Sequence, residues 1–133
     1  MGKRVEKTDE QWRAVLPDAV FRICREGKTE HPFSGEYCDH KAEGQYVCAA
    51  CAAPLFVSSA KYDSRSGWPS FWSPVAQDAV LVRKDLSHGM ERAEVLCACC
   101  DAHLGHRFDD GPQPTGLRYS INSLALHFLP SLS

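Results

Sequence analysis

Two CxxC pairs, Cys48–Cys51 and Cys97–Cys100, carry the strongest chemical signal in the sequence. Each spacing lets one tight turn present two thiolates, and together they can enclose one tetrahedral ion. Zinc is borderline-soft and favours such a closed shell of four thiolates, which leaves no open coordination position and therefore reads as structural. Forty-five residues separate the two halves, so the metal would clamp together two distant hairpins. Neither pair heads a strand–helix–strand unit, as a thioredoxin-like redox motif would. Cys24, Cys38 and Cys99 lie outside this set.

A second set of chemical residues lies toward the C-terminus. In "GLRYSINSLALHF" (116–128), Leu117, Tyr119 and Ile121 alternate with Arg118, Ser120 and Asn122. An apolar strand face therefore backs a row of one cation, one hydroxyl and one amide. Nothing adjacent in sequence would activate Ser120 as a nucleophile. In "AHLGHRFDDG" (102–111), His103 and His106 are three apart. On a regular strand they would face opposite sides, so both reach one site only if Gly105 bends the chain. "SGWPSFW" (66–72) holds the Trp68 indole in a rigid turn.

These residues need elements to position them. "TDEQWRAVL" opens with a capping-box pattern, Thr8 and Gln11, and predicts a helix ending before Pro17. "PDAVFRICREG" predicts a second, closed by Gly27. The helical pair thus covers about residues 8–26. Residues 30–45, rich in Pro, Gly, His and charge, read as loop. Short strand-like runs then alternate with turns over about 45–129: "GQYVC", "PLFVS", "AVLVRKD", "ERAEVLC" and "LRYSI". The apolar residues of the last run are odd-numbered up to Ile121 and even-numbered from Leu124. A β-bulge near Asn122–Ser123 would account for the change. The fold expected is mainly β, in a single domain over 1–133, with a short N-terminal helical pair and a four-cysteine zinc site.

Composition narrows the function. The chain has 133 residues, 44% hydrophobic and 24% charged, as a globular domain does. Fifteen Lys and Arg against seventeen Asp and Glu give a net charge of −2. That balance argues against nucleic acid or an anionic membrane as a partner. No window approaches the roughly 18 apolar residues of a membrane span, and "MGKRVEKTDEQW" has no signal-peptide core. A cytoplasmic protein is expected. Seven cysteines there point to metal or redox chemistry rather than a disulfide framework.

Taken in order, CxxC, "KYDSRSGWPSF", "DLSHGMERAEVLC", CxxC, "AHLGHRFDDG" and "RYSINSLALHF" resemble the B-type methionine sulfoxide reductases, which act on the R epimer. The likeness runs over about residues 8–129. It implies two antiparallel sheets with a structural zinc away from the active site. It also implies reduction of free or protein-bound methionine-R-sulfoxide. In that reaction a thiolate attacks sulfur, a sulfenic acid forms, a second thiol condenses with it, and thioredoxin reduces the disulfide. By the same resemblance position 120 is the nucleophile. Arg118 would lower the pKa of a thiol there, and Asn122 would orient groups by hydrogen bonding. His103 and His106, one or both, would give the sulfoxide oxygen its proton. Trp68, with Phe108, would wall the substrate methyl group, and Asp110 matches the aspartate of the family's "PDG", with Asp109 in place of its proline.

The chain departs from the family at two positions. Ser120 stands where "RYCIN" has its nucleophilic cysteine, and Ser66 where many members have the resolving cysteine of "SGCGWPSF". Arg65 replaces the usual glycine. A thiol of pKa about 8.5 is within reach of a cationic site, whereas an aliphatic hydroxyl is far less acidic. The chain as written is therefore expected to bind without turnover. An engineered Cys→Ser change explains this with the rest of the site intact; the alternative is a natural non-catalytic zinc-binding adaptor. Cys24, then Cys38, are the candidate resolving thiols.

Overall fold

Thr8 caps the first helix as its sequence pattern predicts. Its hydroxyl accepts from the Gln11 amide, and the Gln11 side chain accepts from the Thr8 amide. This helix, α1 (Asp9–Val15), gives way at Pro17 to α2 (Asp18–Glu26), which Gly27 closes at φ 69° in the left-handed region. Trp12 of α1 and Phe21, Ile23 and Cys24 of α2 are buried. The structure is a computed structural model and describes residues 4–131. No helix among them is long and apolar enough to cross a membrane.

Among the described residues nine strands follow: β1 (Gly44–Cys48), β2 (Pro54–Val57), β3 (Lys61–Tyr62), β4 (Ser70–Phe71), β5 (Val80–Asp85), β6 (Arg92–Cys97), β7 (His103–Phe108), β8 (Arg118–Ile121) and β9 (Leu126–Pro130). They form two antiparallel sheets, β2-β1-β9 and β3-β4-β8-β7-β6-β5. Aromatic side chains from the inner faces join them. The Phe56 and Phe71 rings stack at 4.3 Å, and Tyr46 and Tyr119 meet the same pair edge-on or tilted. All four are buried. Such offset and edge contacts add to the free energy of apolar burial. The large sheet is also packed by α2, around β7.

The parity change after Ile121 has a cause other than the expected bulge. β8 ends at Ile121, a 3-10 turn occupies Ser123–Ala125, and β9 starts in the other sheet. The chain switches sheets rather than continuing as one kinked strand. The Leu124 amide in that turn is held by Glu30 Oε1 at 3.0 Å. The segment over 28–43, expected as loop, acts as a strap. Its Phe33 amide donates to Gly67 O at 2.7 Å, and its Tyr37 amide donates to Ser123 Oγ at 3.1 Å.

Candidate active site

Cross-strand register builds the site. Ser120 on β8 pairs with Ser70 on β4 and with His106 on β7, and His106 pairs with Glu94 on β6. Directly paired residues share a face, so these side chains form a row across the sheet. Further along the same face, Arg118 stands opposite Phe108. The apolar neighbours Tyr119 and Ile121 point into the core, as their alternation predicts.

His103 and His106 do reach the same face, but not because Gly105 bends. Leu96 pairs with His103 and Val95 with Gly105, so Leu104 is an extra residue and the ladder has a bulge. The extra residue restores parity, and the two rings lie 5.4 Å apart. Gly105 has a different task. A Cβ there would lie 1.9 Å from the Ser120 carbonyl oxygen, so only glycine lets β7 approach β8 this closely.

A cleft of about 230 Å³ opens over this row, lined by Thr29, Ser66, Trp68, Arg92, Gly105, His106, Phe108, Arg118, Ser120 and Asn122. Most of the site residues expected from sequence therefore meet in one place. Trp68 is fixed by its indole N–H donating to the Glu30 carbonyl at 3.1 Å. Asn122 is buried, and both ends of its amide are engaged. It accepts from the Glu30 amide and donates to Leu104 O, each at 3.0 Å. Asp110 does not line the cleft. It grips the Arg118 guanidinium with two hydrogen bonds of 2.8 and 3.1 Å, which hold its own carboxyl below the usual range. Arg118 in turn covers the Phe108 ring at 4.3 Å.

The two histidines part in role. His106 faces the cleft and donates from Nε2 to Asp85 Oδ2 at 2.7 Å. Asp85 is held ionised by the Ser87 amide and by His106, and Arg92 approaches it at 3.4 Å. His103 lies behind, 4% exposed, and donates from Nδ1 to Glu94 Oε2 at 2.6 Å. Burial pushes its pKa down, against the pull of Glu94. It lines a separate groove that also includes Cys24. Sequence reasoning missed Glu30, Asp85 and Glu94. Each acts through a partner distant in sequence, and only the polar, alternating Arg92 and Glu94 of "ERAEVLC" hinted at a functional face.

Neither candidate resolving thiol lines the cleft. Cys24 is 2% exposed, and burial raises its pKa to about 12. Cys38 is half-buried beside Lys61 and Tyr62, in a cavity of about 190 Å³ at the β3 edge of the large sheet. Its pKa is also raised by burial. Ser66 does reach the cleft, and Ser64 Oγ lies 2.8 Å from Ser66 Oγ and 2.6 Å from Ser70 Oγ. Arg65 between them adopts φ 62°, a conformation that favours glycine.

The four cysteines of the CxxC pairs also come together, away from the cleft, and their sulfurs all lie within 4.8 Å of one another. Cys48 and Cys100 are 3.7 Å apart, Cys51 and Cys97 3.6 Å. A tetrahedron with metal–sulfur bonds of about 2.3 Å has edges of about 3.8 Å, so the set fits a metal ion. The two knuckles share one geometry. In each, the residue after the second cysteine, Ala52 or Asp101, has positive φ and donates its amide to the first cysteine's carbonyl at 2.8 Å.

Residues 16–130 match the SelR domain family. Among its relatives, "Peptide methionine sulfoxide reductase MsrB" of Saccharophagus degradans is 59% identical over 126 residues, covering 95% of this chain and 94% of the relative. The protein of that name from Thiobacillus denitrificans is 60% identical over 124 residues, covering 93% and 94%. That from Azotobacter vinelandii is 59% identical over 127 residues, covering 96% of each.

Proposed function

The chain belongs to the SelR domain family, and we propose from that membership and the cleft over Ser120 that it binds methionine-R-sulfoxide, free or in oxidised proteins, without reducing it. The observation that carries the reading is the convergence of Trp68, His106, Phe108, Arg118 and Ser120 on one cleft. Trp68 and Phe108 take the methyl group. His106 Nδ1, the ring nitrogen not held by Asp85, faces the sulfoxide oxygen and donates to it from the imidazolium form. Asp110 is a positioning residue for Arg118 rather than a substrate contact. Asn122 ties the Glu30 strap to β7, and His103 with Glu94 supports His106 from behind.

A cysteine at position 120 would complete a reductase. Its thiolate would attack the sulfoxide sulfur, with Arg118 favouring the anion and His106 protonating the oxygen. Methionine leaves and the sulfenic acid stays on the protein, to be resolved by a second thiol and recycled by thioredoxin. Cys38 is the better resolving candidate, because Cys24 is buried and held as a neutral thiol. A serine hydroxyl neither ionises in this range nor accepts the sulfoxide oxygen as sulfur does. The metal in the four-cysteine cluster is zinc on the chemistry of four thiolates, structural because all four positions are filled. The setting is cytoplasmic, with neither nucleic acid nor membrane as partner.

Calorimetric titration tests the binding claim. A peptide bearing methionine-R-sulfoxide should bind in preference to its methionine counterpart and to the S epimer, and Trp68→Ala should weaken it. Equal affinity for sulfoxide and thioether would instead favour a zinc-binding adaptor with a generic peptide cleft.

A further inference from the structure

Ser120 has a partner that its sequence neighbourhood hides. It faces His106 directly across the β7–β8 ladder, and Asp85 holds the far side of that imidazole at 2.7 Å. Hydroxyl, imidazole and carboxylate therefore stand in that order on β8, β7 and β5. Cβ atoms of directly opposed residues are about 4.5–5.5 Å apart, so a rotamer change brings hydroxyl and ring into contact. Among the described residues, neither Ser120 Oγ nor His106 Nδ1 has a hydrogen-bond partner. The carboxylate fixes the tautomer. Asp85 is ionised and accepts only, so Nε2 carries a proton, and in the neutral ring Nδ1 is left as the base. Arg118 supplies a cation on the same face, and Trp68 and Phe108 flank an apolar space.

We propose that this chain has acyl-transfer activity of its own, with Ser120 as nucleophile, His106 as general base and Asp85 as the residue that positions His106. The substrate class is a small, uncharged carboxylic ester, since the cleft of about 230 Å³ has room for a short acyl group. Ser120 Oγ bonds to the carbonyl carbon while its proton passes to His106 Nδ1. Arg118 stabilises the negative charge that develops on the carbonyl oxygen. The ester C–O bond then breaks, and the alcohol leaves with the proton from His106. Water, deprotonated by the same nitrogen, releases the acid and regenerates Ser120. There is no change of oxidation state, and water is the co-substrate. The inference does not depend on sulfoxide binding.

The test is incubation of the zinc-loaded chain with p-nitrophenyl acetate, following nitrophenol release and mapping acetyl groups by peptide mass spectrometry. An acetyl group on Ser120 is expected, absent in Ser120→Ala. His106→Gln should slow its formation about a hundredfold. Asp85→Asn should slow it less and distort its pH profile, with Asp85→Glu restoring part of the rate. Acetylation confined to lysines or cysteines in the unaltered chain overturns the proposal without any variant having to fold. Labelling of Ser120 at an undiminished rate in folded His106→Gln also overturns it.

Discussion

Gly105→Ala isolates the feature on which the site's geometry rests. The added methyl would stand 1.9 Å from the Ser120 carbonyl oxygen and 2.9 Å from its carbon, both backbone atoms that cannot rotate away. β8 must retreat by at least about 1 Å before that contact reaches the 3.0 Å that real Cβ atoms keep. Overpacking of this kind costs about 1–3 kcal/mol. The retreat also strains the ladder on either side of Gly105, the Asn122 amide to Leu104 O and the His106–Ser120 pairing, at about 1 kcal/mol for each hydrogen bond lost. A loss of about 3 kcal/mol is expected, a large share of the roughly 5–15 kcal/mol of a typical domain. Urea unfolding of the zinc-loaded protein measures it, as a midpoint lower by about 1–2 M. Gly89→Ala is the control. Gly89 has φ +68° but nothing within 4 Å of its Cβ, so strain without clash should cost only about 1 kcal/mol. If Gly105→Ala lies within about 0.5 kcal/mol of the parent, the close-approach argument is wrong.

Asp85→Asn should lower thermal stability at neutral pH by an amount that vanishes in acid. The native carboxyl is held below its ordinary value by the Ser87 amide and His106. Its contribution is therefore full above the unfolded pKa of about 3.9 and is lost as pH falls through the lower folded value. Melts from pH 7 downward should show the gap between the two proteins beginning to narrow below about pH 4 and continuing to narrow as the acid strengthens; a constant gap would contradict the assignment. Elemental analysis should find about one zinc per chain, and Cys48→Ser should abolish it and unfold the clamp, seen as lost near-ultraviolet dichroism. Arg65→Gly should stabilise by about 0.5–1 kcal/mol in chemical denaturation, because the residue sits at φ 62°.

Local signals in the sequence specified the elements closest to them. The capping box at Thr8, the stop at Pro17 and Gly27, the two CxxC knuckles and the alternation of residues 117–121 all fold as their chemistry predicts. Long-range register was hidden. Nothing near Ser120 in the chain says that His106 will stand opposite it, because a ladder partner is fixed by the whole sheet. The bulge at Leu104 and the sheet switch at Ser123–Ala125 have the same origin. Each changes side-chain parity, and sequence shows the change without its cause. Glu30 was hidden because it works mainly through its backbone, linking Asn122 to Trp68 from inside a segment that reads only as loop.

The most direct test of the account is turnover by Ser120→Cys with dithiothreitol as reductant. The account expects reduction of methionine-R-sulfoxide but not of the S epimer, from a protein that is inert with serine at the same position. A folded, zinc-loaded Ser120→Cys protein that leaves the R epimer intact would contradict it, as would measurable reduction by the unaltered chain.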